Sequence, residues 1–180
     1  MDSISSLIPG SKLNNNKLTT IFGCSTQGGM RRSHRTNTLV LICNHVLSVY
    51  DDRWIDGVLH YTGMGLNGDQ SLEYMQNKTL SESGSNGIDV HLFEVHSTRT
   101  YTYVGQVFLS SSPYQENQID ESGNQRKVWI FPIAGNSRQA PIIPVKQSHS
   151  LYENKLRSTK KLSDRELKDI GLTRDQLERG

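Results

Sequence analysis

The apolar residues of this chain fall in short runs of strand length, and none approaches the ~18–20 residues that a bilayer-spanning helix needs. The segment "TLVLICNHV" (38–46) is continuously apolar and rich in β-branched residues, which predicts a buried strand. Further strands are expected at "VLHYTG" (58–63), "IDVHLFEVHS" (88–97), "YTYVGQVFLSS" (101–111) and "RKVWIFPI" (126–133). The pattern predicts an α+β, mainly β fold, built as a small barrel or a strongly curved sheet.

One helix is predicted inside this β-rich body. The segment "DQSLEYMQNKTLSES" (69–83) spaces Leu72, Met75 and Leu80 along one side, and Asp69 is a candidate N-cap. The following "GSNG" would end that helix, and "DESGNQ" between the last two predicted strands indicates a turn.

The C-terminal part changes in character. Ser163 and Glu166 form the pattern of a capping box, Gly171 suits a C-cap, and a second short helix would begin at Thr173. The proline-bearing "QAPIIPVKQS" (139–148) is typical of a linker. The expected organisation is therefore a flexible leader at 1–19, a folded domain at 20–138, a linker at 139–150 and a helical tail at 151–180.

The distribution of charge excludes a chain that binds polyanions over its whole surface. Of the 180 residues, positions 1–150 hold 12 Lys+Arg and 12 Asp+Glu, and the net charge is +2. Any contact with nucleic acid must then come from local patches, of which "MRRSHR" is the sharpest. Cys24 and Cys43 form no C-x-x-C pair, and the start lacks a secretory signal, so we expect unpaired thiols in a reducing cytoplasm.

Motifs of catalysis are missing from the sequence. It contains no H-E-x-x-H, no G-x-S-x-G and no G-x-x-x-x-G-K-[ST]. The letters "CNHV" resemble a nuclease motif only by accident, and His91 and His96 should point to opposite faces of a regular strand. We therefore expect no catalytic centre, no metal and no cofactor in this chain.

The segment "YDDRWIDGVLHYTGMGLNGDQ" (50–70) combines aromatic rings, acids and glycines. Glycines such as Gly65 and Gly68 let a backbone approach a ligand closely. The segment is therefore a candidate binding loop.

Five blocks, in this order, resemble the SRA (SET- and RING-associated, or YDG-like) domain in its bacterial form. The resemblance covers about residues 20–134, and its strongest part is the Y-T-G-x-G-x-x-G-D-Q run followed by Q-N-x-x-L. The blocks are "YDDRWIDGVLHYTGMGLNGDQSL", "QNKTLSES", "GIDVHLFEV", "YTYVGQVFL" and "GNQRKVWIFPI".

The resemblance implies a curved, barrel-like β fold that flips a modified cytosine out of duplex DNA into a pocket. The stacking rings would be Tyr50 and Tyr61, with Trp54 as a substitute for either. The acid would be Asp52, with Asp56 as the second choice. The resemblance also places Thr62 and Gly63 in the pocket. The candidate contacts to the DNA backbone are Arg31, Arg32, His34, Arg35, Gln70 and Lys78.

The function expected from this resemblance is to bind 5-methyl- or 5-hydroxymethylcytosine in double-stranded DNA, as the reader module of a modification-dependent restriction or defence system. The protein is expected to be cytoplasmic and nucleoid-associated in a bacterium, with no membrane partner. Two alternatives to this interpretation stay open, namely the recognition part of an HNH-type restriction endonuclease with catalysis elsewhere, and an SRA-like scaffold for another nucleic-acid ligand. The tail "LSDRELKDIGLTRDQLER" is similar to the ending of short bacterial YjiS-type proteins.

Overall fold

The computed structural model describes residues 3–46, 48, 50–120 and 122–135. The expected linker at 139–150 and helical tail at 151–180 lie outside these residues. The helices are a 3₁₀ turn at Ile4–Ser6, α1 at Asn15–Phe22 and α2 at Gln76–Ser81. The strands are β1 Lys12–Leu13, β2 Met30–Ser33, β3 Thr38–Asn44, β4 Arg53–Ile55, β5 Val58–Thr62, β6 Asp89–Ser97, β7 Thr100–Leu109, β8 Tyr114–Ile119 and β9 Gln125–Gly135.

All nine of these strands belong to one mixed sheet. Its main order is β2-β3-β6-β7-β9-β5-β4, while β1 pairs with β7 and β8 pairs with β9. The β3–β6 pair is parallel and the other pairs are antiparallel. The expected mainly β, α+β fold is confirmed, with a sheet that is not closed into a barrel.

Strand β3 lies at the centre of the hydrophobic core because both of its faces are covered. Leu39, Leu41 and Cys43 join one cluster of buried residues, while Val40 and Ile42 join the other. This explains the continuous apolar run, since a strand buried on both faces has no polar alternation. Parallel pairing with β6 requires a long crossover, and residues 45–88, which include the 50–70 segment, provide it.

The five strands expected from the sequence are confirmed as β3, β5, β6, β7 and β9. Phe93, which departs from the alternation of apolar residues in β6, packs into the second cluster with Phe22 of α1, with ring centroids 5.6 Å apart. The two faces of β6 are therefore both buried along most of its length. His91 bonds to Tyr103 while His96 stacks on His45, so these two histidines have separate surroundings.

Two expectations from the sequence need correction. The segment 1–19, which was expected to be a flexible leader, contains β1 and most of α1, whose Leu18 is fully buried. Asn14 caps α1 by accepting from the Lys17 amide, and Gly23 ends the helix at φ 67°. Helix α2 is shorter than the expected 69–83, and Asp69 is not its N-cap, because its carboxylate accepts from the Lys127 amide at 2.7 Å.

Besides β1, three strands were not expected. Strand β2 lies inside "CSTQGGMRRSHRTN", which the sequence indicated as a polar loop, and β4 and β8 are short or polar. Each lacks an apolar run, so its strand structure depends on pairing with a neighbour rather than on its own composition. No helix in the described part of the chain is long and apolar enough to cross a membrane.

Candidate nucleic-acid interface

A cavity of about 660 Å³ opens between the glycines before β2, the segment after β3 and the loop after β5. This volume is within the usual range of small-molecule pockets, roughly 300–1,000 Å³. The residues that line it include Gly29, Tyr50, Gly63, Asp69 and Tyr74. Three segments that are distant in sequence thus meet at one concave surface.

The loop after β5, residues 63–70, is fastened by two buried amide side chains. Gln70 donates to the Gly63 carbonyl at 2.7 Å and accepts from the Trp129 amide at 2.9 Å. Asn77 accepts from the Met64 amide at 2.6 Å and donates to the Met64 carbonyl at 3.0 Å. Both residues satisfy backbone groups that secondary structure does not pair, so they have structural roles.

Close packing explains the glycine at position 63. A Cβ atom there would lie 2.8 Å from Asn77 Oδ1 and 3.0 Å from Phe131 Cε2. Gly65 has φ +129°, and its carbonyl accepts from Arg126. Only glycine fits these two positions at no steric cost, and the loop backbone is thereby held against β9.

Tyr61 contacts the cavity, but its side chain belongs to the core. It is only 3% exposed, and its hydroxyl donates to the Gly29 carbonyl at 2.8 Å and to the Ile42 carbonyl at 3.3 Å. Burial raises the pKa of Tyr61 well above its ordinary value, and the nearby Asp52 adds to the effect. Tyr61 therefore joins β5 to β2 and β3 and forms part of the cavity wall.

Tyr50 is half-buried and lines the cavity from the segment before β4. Its amide donates to Ser48 Oγ at 3.0 Å, and its hydroxyl lies 3.5 Å from the Gly65 carbonyl. Among the expected base-pocket residues, Tyr50, Tyr61, Thr62 and Gly63 line the cavity.

The other three expected pocket residues do not line the cavity. Asp52 is half-buried beside it and accepts from the Thr62 amide at 2.8 Å. The indole of Trp54 donates to Glu94 at 2.8 Å and packs against the core, which makes it a structural residue. Asp56 is exposed at φ 49° in the β4–β5 turn.

The arginines of "MRRSHR" are bonded to the protein itself. Arg31 is 2% exposed and donates to the Gly28 carbonyl at 2.8 Å and to Asn15 Oδ1 at 2.7 Å. Arg32 donates to the Ser33 and Thr38 carbonyls and to Asn37 Oδ1. Arg31 lines the cavity, but its guanidinium is bonded within the chain, and its contact with phosphate stays a prediction.

The remaining expected DNA contacts differ in their surroundings. Arg35 is exposed and donates to the Thr20 carbonyl at 2.6 Å, and His34 is also exposed. Gln70 is buried under the loop described above. Lys78 is on the exposed side of α2, where Glu73 at 2.7 Å raises its pKa, and it does not line the cavity.

The lining residues that sequence reasoning missed include one acid and two tyrosines, namely Asp69, Tyr74 and Tyr101. Asp69 is the one acid that lines the cavity among the described residues. It lies within the Y-T-G-x-G-x-x-G-D-Q run, so the motif contained the signal, but helix capping was the role assigned to it. Tyr101 comes from β7, whose approach to the 50–70 segment no local pattern indicates.

The domain is an open mixed sheet with a cavity that is lined by a glycine-rich loop. Sequence comparison then identifies the family to which it belongs. The profile of the ScoMcrA-like SRA domain matches residues 9–154, so the chain belongs to that family. The profile of the YjiS-like domain matches residues 160–178. Both resemblances that the sequence indicated are thereby confirmed. No curated protein matches the chain.

Solved structures share the fold at low sequence identity. The sulfur-binding and SRA domains of ScoMcrA, complexed with phosphorothioated DNA, match with a TM-score of 0.60 and 15% identity over 76% of this chain and 43% of theirs. The SUVH5 SRA domain, complexed with methylated CHH DNA, matches with a TM-score of 0.58 and 20% identity over 78% of this chain and 95% of its own.

A third match shows how much shorter this chain is than some of its relatives. The type IV phosphorothioation-dependent restriction endonuclease ScoMcrA matches with a TM-score of 0.59 and 16% identity over 75% of this chain. The match spans only 28% of the ScoMcrA chain.

Proposed function

We propose that this chain binds double-stranded DNA containing a modified cytosine and accommodates that base, flipped from the duplex, in the cavity that the 63–70 loop lines. The observation that carries the proposal is the cavity itself, which is lined by Tyr50, by glycine backbone and by an acid in a chain of the SRA family. Complexes of two SRA relatives with modified DNA support the proposal.

Tyr50 is the stacking residue in this proposal. Flipping a base costs a few kcal/mol of lost stacking and pairing, and an aromatic face returns roughly 1–3 kcal/mol. Tyr50 is half-buried and borders the cavity, so a base can contact its ring without disrupting the core. Tyr61 forms another part of the cavity lining and is held by its bonds to Gly29 and Ile42.

A carboxylate beside the cavity accepts from the N4 amine of the flipped cytosine. Asp52 remains the first choice, because its bond from the Thr62 amide holds it next to two cavity residues, Thr62 and Tyr61. Asp69 is the alternative that the structure adds, since it lines the cavity directly. The Asp52→Asn and Asp69→Asn variants decide between them, because an amide oxygen accepts more weakly than a carboxylate.

Exposed basic residues supply the phosphate contacts in this proposal. Lys127 is exposed, and its amide donates to Asp69, which places its backbone next to the cavity lining. His34 and Arg35 are exposed at the end of β2, beyond the two bonded arginines. Binding by such residues weakens as salt concentration rises.

The decisive experiment is a fluorescence anisotropy titration at one fixed salt concentration. Four matched duplexes carry unmodified cytosine, 5-methylcytosine, 5-hydroxymethylcytosine or a phosphorothioate linkage at one position. Tighter binding to a duplex with a modified base supports the proposal. Equal binding to all four contradicts it and favours a nonspecific nucleic-acid scaffold, while preference for the phosphorothioate alone indicates backbone recognition.

Base flipping needs its own measurement. A 2-aminopurine placed beside the modified cytosine should brighten when the protein binds, because its neighbour leaves the stack. Binding that is selective for a modified base but leaves the 2-aminopurine signal unchanged would mean that the base is read within the duplex.

A second candidate function is the recognition part of a restriction endonuclease, which the match to a fraction of ScoMcrA favours. We expect the purified chain to bind modified plasmid DNA without cutting it in the presence of Mg²⁺ or Mn²⁺. Cleavage that persists after purification to homogeneity would show that a catalytic centre lies in this chain.

A further inference from the structure

A cluster of metal-ligating side chains lies outside the cavity, where β3 and β6 run parallel. Cys43 pairs with Glu94 in the register of the two strands, and the His45 amide donates to the Val95 carbonyl at 3.0 Å. The sequences "CNH" and "EVH" therefore lie side by side. Side chains two residues apart on a strand share a face, which brings Cys43, His45, Glu94 and His96 together.

The ligand atoms of three of these residues converge. His45 Nε2 lies 3.4 Å from Cys43 Sγ and 2.9 Å from Glu94 Oε1, and all three ligand atoms lie within 4.8 Å of one another. Zinc bonds of ~2.0–2.3 Å in a tetrahedron separate their ligand atoms by about 3.3–3.6 Å. The observed spacing needs only small rotations of side chains to accept an ion.

His96 lies next to this set. Its Nε2 atom is 3.4 Å from Glu94 Oε2, and its ring stacks on His45 with centroids 4.5 Å apart. Its side chain is 48% exposed, so it can change rotamer, whereas that of Glu94 is only 4% exposed. The cluster thus has a buried anionic base and a partly open side.

Glu94 is a buried carboxylate with several partners around it. A buried carboxylate is unfavourable unless it is paired. Within the described residues, His45 and His96 lie at ion-pair distance from Glu94, and the Trp54 indole donates to it. A divalent cation would neutralise both the Glu94 carboxylate and a Cys43 thiolate.

We propose that Cys43, His45 and Glu94 form a zinc site, with His96 placed to supply a fourth ligand. Thiolate, imidazole and carboxylate are the ligands of zinc sites, and a thiolate argues against Mg²⁺ or Ca²⁺. Coordination releases the Cys43 proton to solvent. The ion joins β3 to β6 at the start of the segment that carries Tyr50, so its role is structural.

The test uses the full chain, freed of any affinity tag, stripped with a chelator and titrated with Co²⁺. One equivalent should produce a thiolate-to-cobalt charge-transfer band and the intense visible bands of tetrahedral Co²⁺, and Zn²⁺ should displace both. Zn²⁺ should also raise the melting temperature of the stripped protein, because an ion that binds only the folded state stabilises it.

Matched variants locate the site. Cys43→Ser should lose the charge-transfer band, whereas Cys24→Ser, which changes the other cysteine, should keep it. His96→Ala, at an exposed position, should fold normally and weaken Co²⁺ binding at least tenfold. Circular dichroism confirms the fold of each variant. The absence of a charge-transfer band in the wild-type chain, or its survival in Cys43→Ser, would overturn the proposal.

Discussion

Two segments that border the cavity, called here the floor loop and the tyrosine segment, are held in place by different contacts. The floor loop, residues 63–70, is fastened by buried side chains that bond to its backbone, namely Gln70, Asn77 and Arg126. The tyrosine segment, Ser48 with residues 50–52, is held by the Ser48 hydroxyl, by Asp52 on the Thr62 amide and by the 3.5 Å approach of Tyr50 to Gly65.

The difference separates stability from recognition. Buried polar groups that are hydrogen-bonded contribute to a unique fold, and breaking their bonds costs stability. Tyr50 is half-buried and borders the cavity, where a ligand can meet its ring. We therefore expect substitutions in the floor loop to change the free energy of unfolding, and substitutions in the tyrosine segment to change DNA affinity.

The largest effect is expected for Asn77→Ala. Asn77 is fully buried, and the substitution removes its bonds to the amide and carbonyl of Met64 and to the carbonyl of Ser71, which keeps only the long 3.3 Å bond from the Tyr74 amide. The loss of these bonds should lower the free energy of unfolding by about 3 kcal/mol, measured by urea denaturation. Asn67→Ala changes an exposed asparagine of the same loop and should stay within about 0.5 kcal/mol of wild type. Equal stability of the two variants would mean that the floor loop is not fastened by Asn77.

Tyr50→Ala should affect binding more than folding. Loss of one stacked base costs roughly 1–3 kcal/mol, so the affinity for the preferred modified duplex should fall about fivefold to a hundredfold. Tyr114→Ala is the control, because Tyr114 is exposed on β8, bonds to His60 and does not line the cavity. If both variants bind modified DNA as tightly as wild type, the stacking residue lies elsewhere.

Lys127→Ala tests which surface of the domain contacts the DNA phosphates. If Lys127 contacts one phosphate, the slope of log K against log [salt] should become less steep by about 0.9, with selectivity unchanged. Lys78→Ala removes a lysine that Glu73 and Glu82 already pair, and its slope should match wild type. If instead the slope changes for Lys78→Ala and not for Lys127→Ala, the DNA phosphates contact α2 rather than the surface next to the cavity.

The strands with their own apolar composition were predictable, and the segments that depend on distant partners were not. β3 followed from a continuous apolar run, and the ordered blocks around Tyr61 identified the family. Strand β2 was missed because its two arginines indicate a solvated loop, although Arg31 is buried against Asn15. Helix α1 had an Asn cap and a terminal glycine in its sequence, so that error was avoidable.

Part of the site was also predictable. The 50–70 segment does line the cavity, because the family motif places Tyr50, Thr62 and Gly63 there. The acid that lines the cavity, Asp69, lies in the family motif but was assigned to helix capping, because its local sequence also fits an N-cap. The proximity of Cys43 to Glu94 depends on parallel pairing across a crossover of more than 40 residues, which no local pattern reports.

The smallest effect concerns the far end of the tyrosine segment. Arg53, which follows Asp52, donates to both carboxylate oxygens of Glu116 at 2.9 and 2.6 Å. Burial acts to raise the pKa of Glu116, but hydrogen bonds from Arg53 and Gln118 outweigh it, and the pKa lies below its ordinary value. A carboxyl whose pKa is lower in the folded state stabilises the protein above its unfolded pKa of roughly 4.3 and loses that contribution as pH falls.

The pair is partly exposed, so solvent screening limits its contribution to about 0.5 kcal/mol. Wild type should therefore lose slightly more stability than Glu116→Gln when urea denaturation is repeated at pH values from 6 down to 3. Glu82→Gln, at an exposed position directly after α2, is the matched carboxyl control and should keep the wild-type pH dependence over most of that range. If Glu116→Gln keeps the full wild-type pH dependence, the Arg53–Glu116 pair does not hold the tyrosine segment, and Asp52 is then its remaining anchor on β5.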